Sequence, residues 1–246
     1  MKAIILAAGE GKRLRPLTYG IPKPLLPVGV EPVINYVIRN LERCTEIDTV
    51  YVAVSHMKHS MEAYLKHLNS PNLTIETIPT LGWETGGDLK TVLLEKEITD
   101  EPVLICYGDN VTTINTTDLV AIHKKSAGSY ATVALFEVSS ENVPRFGIAE
   151  LAGTKITRFI EKPLAGVTSS RLANAGYFVL ESSSLADVPM RKFKLESDYF
   201  PIWANAGQLY GQIQKVKMWI DIGTIESYLA ANKLVEEILP PPKVRK

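Results

Sequence analysis

The sequence predicts an α/β fold: a mixed, mostly parallel sheet flanked by helices on both faces. Three observations carry this expectation. Strand-like runs alternate with helical stretches through residues 1–128. The runs Lys2–Ala7 and Val103–Cys106 are apolar without alternation, as expected of strands covered on both sides. After about Ser129 strands follow one another with few helices between them, which adds a mixed-sheet half.

Lys2–Ala7 is the first strand, and a glycine-rich loop follows it at once. In Pro32–Arg43, Val33, Ile34, Val37, Ile38 and Leu41 form a helical stripe opened by a proline near its first turn. Thr49–Val54 is a β-branched strand, Met57–Leu68 a helix, Leu73–Ile78 a third strand and Gly87–Glu95 a helix. Val103–Cys106 is a fourth strand and runs into Tyr107-Gly108-Asp109-Asn110. Beyond it, Tyr130–Val138, Lys155–Ile160 and Asn174–Leu180 are strands, while Ser197–Ala206 and Thr224–Glu237 are helices. No Ser/Gly linker, low-complexity tract or repeat interrupts the chain, so a single domain is expected over residues 1–246. Pro240-Pro241-Pro242 should stop the last helix and leave 240–246 a loose tail.

Composition excludes several classes. Lys plus Arg and Asp plus Glu each number 27, so the chain lacks the basic excess of a sequence-independent nucleic-acid binder. The apolar start Ala3–Ala8 is short and runs into Gly9–Arg13, which is no signal cleavage region. No apolar stretch approaches the roughly 20 residues that span a bilayer, so a cytoplasmic protein without a membrane partner is expected. Cys44 and Cys106 have no ligand-like spacing, which fits a reducing compartment. His56, His59, His67 and His123 form no zinc set with them, and His56 and His59 read as surface residues. Trp83, Trp203 and Trp219 read as core or pocket walls.

The first chemistry-bearing segment is the loop after the first strand. Gly9 and Gly11 let backbone N–H groups approach phosphate oxygens, and Lys12, Arg13, Arg15 and Lys23 supply four cations nearby. Alone, this pattern fits phosphate affinity and a tight turn with solvated charges equally well. A dinucleotide fingerprint would place a third glycine where Leu14 stands, and no G-x-x-x-x-G-K-[ST] occurs. Asp109 follows an apolar strand, and Asp221 follows a short apolar stretch. Two such carboxylates suit Mg²⁺, which takes few protein oxygens and fills its shell with phosphate and water. Lys162 can neutralise a phosphate as a point charge or end a strand in solvent.

Six segments in order then make a specific match. They are Gly9–Thr18 with Lys23-Pro24-Leu25-Leu26-Pro27, then Glu84-Thr85-Gly86-Gly87, Gly108-Asp109-Asn110, Glu161-Lys162-Pro163, Asn174-Ala175-Gly176 and Trp219–Thr224. Together they resemble the sugar-1-phosphate nucleotidylyltransferases, or nucleotide-sugar pyrophosphorylases, in a short form without the C-terminal β-solenoid of many relatives. The resemblance implies a Rossmann-like fold of the nucleotide-diphospho-sugar transferase type. It divides the chain into a nucleotide-binding half, about 1–128, and a sugar-binding half, about 129–239.

It further implies an NTP and a sugar 1-phosphate as substrates, Mg²⁺ on Asp109 and Asp221, and catalytic roles for Arg13, Lys23, Asp109 and Lys162. Nucleotide contacts fall on Leu6, Ala8, Gly9, Gly11, Lys12, Arg13, Thr85, Gly86 and Gly87. Sugar-phosphate contacts fall on Gly147, Glu161, Lys162, Asn174 and Gly176. The family's commoner base-reading form is Gly-Thr-(Ala/Gly)-Gly-Ala-(Leu/Ile); here Glu84 replaces the first Gly and Asp88 the Ala. The variant leans to UTP or dTTP, with GTP as the alternative. The rival expectation is a non-catalytic regulatory or sensing subunit of the same fold, in which the cationic loop, the paired aspartates or Lys162 would have decayed; all are present. A homo-oligomer is compatible with either.

Overall fold

The computed structural model describes residues 1–238; the expected loose tail 240–246 lies outside them. The chain runs through β1 (Lys2–Leu6), three short 3-10 turns between Lys12 and Leu25, β2 (Pro27–Val28), β3 (Glu31–Pro32), α1 (Val33–Glu42), β4 (Thr49–Val54), α2 (Lys58–Lys66), β5 (Thr74–Pro79) and α3 (Glu84–Glu95). It continues through β6 (Pro102–Tyr107), β7 (Asn110–Thr112), α4 (Thr116–Lys125), β8 (Ala131–Glu137), β9 (Gly147–Ala152), β10 (Lys155–Glu161) and β11 (Leu172–Glu181). Last come α5 (Leu195–Asp198), α6 (Phe200–Asn205), β12 (Leu209–Ile213), β13 (Trp219–Asp221) and α7 (Ile225–Ile238).

Nine strands form one sheet in the order β5-β4-β1-β6-β11-β8-β12-β10-β9. The first four are parallel, and β11 enters antiparallel to β6. Pairing of β11 with β8, β8 with β12, β12 with β10, β10 with β9 and β9 with β11 returns to its start, so the second half curls into a ring of five strands. Alternation along the strands sends side chains to two cores. Ala3, Ile5, Val50, Val52 and Val54 join α1 and α2 on one face, while Ile4, Tyr51 and Ala53 join α3 and α6 on the other.

A third cluster has a different task. Leu14, Leu26 and Val28 pack against Met218, Ile222, Ala231 and Val235. The Tyr228 hydroxyl donates to the Pro27 carbonyl at 2.7 Å, and Gly29 N–H donates to Asn232 Oδ1 at 2.9 Å. The last helix thereby pins the long loop that follows β1.

Two expectations need correction. Ser197–Ala206 is not one helix: α5 and α6 meet at Tyr199 (φ −123°). In a continuous helix the Pro201 ring would collide with the carbonyl four residues back. The helix expected from Gly87 begins three residues earlier, so Glu84-Thr85-Gly86-Gly87 is its first turn. The sequence reading also missed α4, whose N-cap Asn115 accepts the Asp118 N–H at 3.1 Å. It missed β9 and β12 as well, which are short and interrupted by small residues.

Candidate active site

The parallel order of β5, β4, β1 and β6 brings the loops after their carboxyl ends to one edge of the sheet, where open α/β folds bind ligands. A cavity of about 660 Å³ opens there, lined by Leu6–Arg13, Lys23, Ser55, His56, Leu81–Gly82, Glu84–Thr85, Asp88, Gly108–Asp109, Lys192 and Gly223. Gly11 adopts φ +63°, and a Cβ there would stand 2.9 Å from Thr18 Cγ2. Thr18 Oγ1 in turn donates to the Gly11 carbonyl at 2.9 Å, fixing the turn that carries Lys12 and Arg13.

On the far side of the cavity the Lys23 ammonium pairs with the Asp109 carboxylate, both mostly enclosed. The antiparallel pairing of β7 with β13 sets Asp221 opposite Asn110, and Ile222 N–H donates to the Asp109 carbonyl at 3.1 Å. Asp221 is therefore held beside Asp109. Burial raises the Asp221 carboxyl above the usual carboxylate range, and the Asp109 charge adds to this; Lys23, Arg145 and Arg13 pull the other way. A Cβ on Gly223 would lie 2.5 Å from Asp221 Oδ2 and 3.4 Å from Arg13 Nη2, so only glycine lets these two side chains close on this point. Arg145 Nη2 stands 3.9 Å from Asp221 Oδ1. Asp221 and Arg145 also wall a second hollow of about 670 Å³ with Phe146 and Trp219.

The start of α3 is closed by a separate segment. Gly86 and Gly87 N–H groups donate to the Phe193 carbonyl at 3.0 and 3.4 Å. A Cβ on Gly86 would meet the Phe193 ring at 2.1 Å, and one on Gly87 the Arg191 carbonyl at 2.7 Å. The Asp88 carboxylate, raised by burial, accepts the Trp83 N–H at 2.8 Å and holds the loop before the helix.

Behind Asp109, the Asn110 side chain and the Trp219 indole both donate to the Ala175 carbonyl, at 3.1 and 2.8 Å. Asn174 Oδ1 accepts the Gly176 N–H at 2.9 Å within a bulge of β11. Gly176 has φ +74°, and a Cβ would come 2.7 Å from both Asn110 Nδ2 and the Tyr107 ring. Glu161 pairs across the sheet with Gly147, and its Oε2 lies 2.7 Å from where a Gly147 Cβ would be. Lys162 leaves the strand at φ +50°; its N–H donates to the Phe146 carbonyl at 3.0 Å, and its ammonium stands 3.6 Å from Glu161.

The sequence model of the Nucleotidyl transferase family matches residues 2–238. The chain belongs to this family. Among its relatives, the UTP–glucose-1-phosphate uridylyltransferase of Synechocystis sp. is 28% identical, covering 94% of this chain and 62% of its own. Mannose-1-phosphate guanyltransferase beta-A of Xenopus laevis is 30% identical over 93% of this chain and 63% of its own. The chain thus spans under two thirds of the length of these curated relatives. A Bacillus anthracis structure described as a glucose-1-phosphate thymidylyltransferase in complex with sucrose superposes with TM-score 0.82 at 26% identity, covering 97% of this chain and 96% of that one. The nucleotide-diphospho-sugar transferase fold expected from the resemblance is the fold observed.

The cavity gathers Leu6, Ala8, Gly9, Gly11, Lys12, Arg13, Lys23, Thr85 and Asp109 from the expected set. Asp221 reaches it only from the side, through Gly223. Gly86 and Gly87 lie beneath the Phe193 segment, with their amides already engaged. Gly147, Glu161, Lys162, Asn174 and Gly176 belong to the neighbouring ring of strands and do not line this cavity.

Sequence reasoning missed the wall residues Ser55, His56, Leu81, Gly82 and Lys192. His56 is half-buried in the wall, not on the open surface as expected, and its Nε2 has no partner among the described residues. It lies two residues past the end of β4, and the rule that sites gather at carboxyl ends of parallel strands could have found it. His123 is buried against Thr132 and Glu181. Trp203 is core, while Trp219 stacks on Phe136 at 4.7 Å and walls the second hollow.

Proposed function

We propose that the chain transfers the nucleotidyl group of an NTP to a sugar 1-phosphate, forming an NDP-sugar and pyrophosphate. The observation that supports it best is the convergence, at one sheet edge, of a glycine loop bearing Arg13 with Lys23 and the carboxylates Asp109 and Asp221. A phosphate oxygen of the sugar 1-phosphate attacks the α-phosphorus, the α–β P–O bond breaks, and its electron pair leaves on pyrophosphate. The nucleophile is already an anion, so no side chain need form a covalent intermediate. The work of the site is to hold two anions in line and to spread the charge of the transition state. Amides of Gly9–Gly11 and the Arg13 guanidinium hold the triphosphate and its departing half. Lys23 offsets charge at the α-phosphate; Lys162, beside Glu161, does so for the sugar phosphate, with Gly147, Asn174 and Gly176 shaping the sugar pocket.

Asp109 and Asp221 suit Mg²⁺. They are neighbouring carboxylates whose charges act on one another, and Asp221 is itself partly buried. Mg²⁺ takes few protein oxygens and completes its shell from phosphates and water, so two carboxylates are enough to hold it beside a triphosphate. When bound, it would neutralise phosphate oxygens during the transfer. The free, buried cysteines Cys44 and Cys106 support work in the reducing cytoplasm, and among the described residues no helix is long and apolar enough to cross a membrane.

The test is pyrophosphate release from UTP, dTTP, GTP, CTP or ATP with a panel of sugar 1-phosphates and Mg²⁺. Turnover with at least one pair is expected. Silence across the whole panel would overturn the activity and favour the non-catalytic regulatory reading.

A further inference from the structure

The strand order separates the two ends of the cavity. Asp109 follows β6 on one side of the β1 loop, whereas Ser55, His56 and the segment Leu81–Glu84 follow β4 and β5 on the other. A triphosphate held between Arg13 and Asp109 therefore sends its nucleoside toward Glu84 and Lys192. Relatives named for uridylyl, guanylyl and thymidylyl transfer share the fold, so family membership leaves the base open.

The backbone at Glu84 is unusual: its φ of +61° is a conformation that suits glycine. A side chain retained at an unfavourable backbone angle in a cavity wall points to a use for that side chain. Its oxygens stand 3.5 Å from Lys192 Nζ and 3.7 Å from Lys194 Nζ, at ion-pair distance, not at hydrogen-bond distance. An ionised carboxylate only accepts, and two oxygens in one plane can take two parallel N–H groups. Lys192, which lines the same end, only donates.

The bases answer this pattern differently. Guanine presents two adjacent donors, N1–H and N2–H, next to the acceptor O6. Uracil and thymine offer a single N3–H flanked by two carbonyls that would face the carboxylate. Cytosine and adenine offer an amino group beside a ring-nitrogen lone pair. We infer that Glu84 and Lys192 read the base and select guanine, with Glu84 accepting from N1–H and N2–H while Lys192 donates to O6. This rests on the proposed nucleotidyl transfer and replaces the motif's lean toward a pyrimidine.

The test measures binding of GTP, ITP and UTP with Mg²⁺ by calorimetry, together with pyrophosphate release. ITP keeps O6 and N1–H but lacks the 2-amino group. GTP is expected to bind roughly ten- to a hundredfold more tightly than ITP or UTP, the range of a good bidentate contact. Glu84→Gln should erase the gap between GTP and ITP, whereas Lys192→Ala should weaken both alike. Equal binding of GTP and ITP, tighter UTP, or a gap that survives in Glu84→Gln would overturn the inference. Selective GTP binding without turnover would uphold the base reading and overturn the activity. Turnover that favours UTP would overturn the base reading alone.

Discussion

Thr85 Oγ1 donates to Glu196 Oε2 at 2.6 Å, clamping the first turn of α3 to α5 across 111 residues of sequence. Leu195 N–H donates to the same hydroxyl at 3.3 Å, so one threonine joins the cavity wall to the segment behind it. Glu196 is buried, and its other oxygen has no partner among the described residues.

Burial raises the Glu196 carboxyl above the ordinary glutamate range, with the Thr85 bond opposing. The folded chain thus holds a proton that the unfolded chain releases sooner. The contribution of Glu196 to stability is complete below its unfolded pKa and is lost as pH rises through the raised folded value. Glu196→Gln still accepts from Thr85 but cannot ionise. Thermal melts between about pH 4 and 8 should show a flatter decline of Tm with rising pH than in the wild type. Parallel curves would refute this account.

Gly87 carries a packing constraint that is separable from chemistry. Its missing Cβ would come 2.7 Å from the Arg191 backbone carbonyl and 2.6 Å from Trp83 Cβ, which moves only with its backbone, so neither has much room to yield. Gly87→Ala should cost about 1–3 kcal/mol, a fall in Tm of roughly 2–10 °C for a chain of this size. It should also push the 191–193 segment outward, raising KM for the NTP more than it lowers kcat. A variant with wild-type Tm would show that the segment is not seated on this glycine.

The legible parts of this fold were those in which local pattern and tertiary place agree. β1, β4 and β6 are buried on both faces, so their apolar runs announced them, and the loops at their ends announced Gly9, Arg13 and Asp109. Glu84, Lys192 and His56 were not legible as a group, because only the order β5-β4-β1 and the closure of the Phe193 segment bring them together. The exchange of Ala for Asp88 looked like a departure in the base-reading turn. In the folded chain it is a buried anchor for Trp83, a role that needs the loop's path to be seen. β9 and β12 have no strong pattern of their own; they exist because β10 and β8 offer edges to pair with.

Lys23 and Asp109 face each other as the enclosed ion pair of the cavity. Asp109→Asn keeps the shape and removes the charge. Under the proposed transfer, turnover should fall roughly a thousandfold, the scale of several kcal/mol of charge stabilisation. The folded state should survive, since Asn can still accept from the lysine. Chelation of Mg²⁺ should abolish turnover in the wild type, and restored metal should recover it. Pyrophosphate release with excess Mg²⁺ and with chelator reads both effects, and a near wild-type rate in Asp109→Asn would remove this residue from the mechanism.

Lys162 separates stability from use more sharply than any other residue here. Its φ of +50° belongs to the left-handed region, which costs a non-glycine residue roughly 1–2 kcal/mol. The side chain is exposed and packs on little, so burial does not explain why lysine is kept there. Lys162→Gly relieves the strain and gives back part of the gain through its looser unfolded chain, leaving a net stabilisation of up to about 1 kcal/mol. If the ammonium holds the sugar phosphate, the same variant should raise KM for the sugar 1-phosphate roughly ten- to a hundredfold, the scale of a hydrogen bond to a charged group. Binding of the NTP should be unmoved. A variant that melts higher and works worse would show strain retained for function; one that melts higher at unchanged KM would make the left-handed turn a matter of chain path alone.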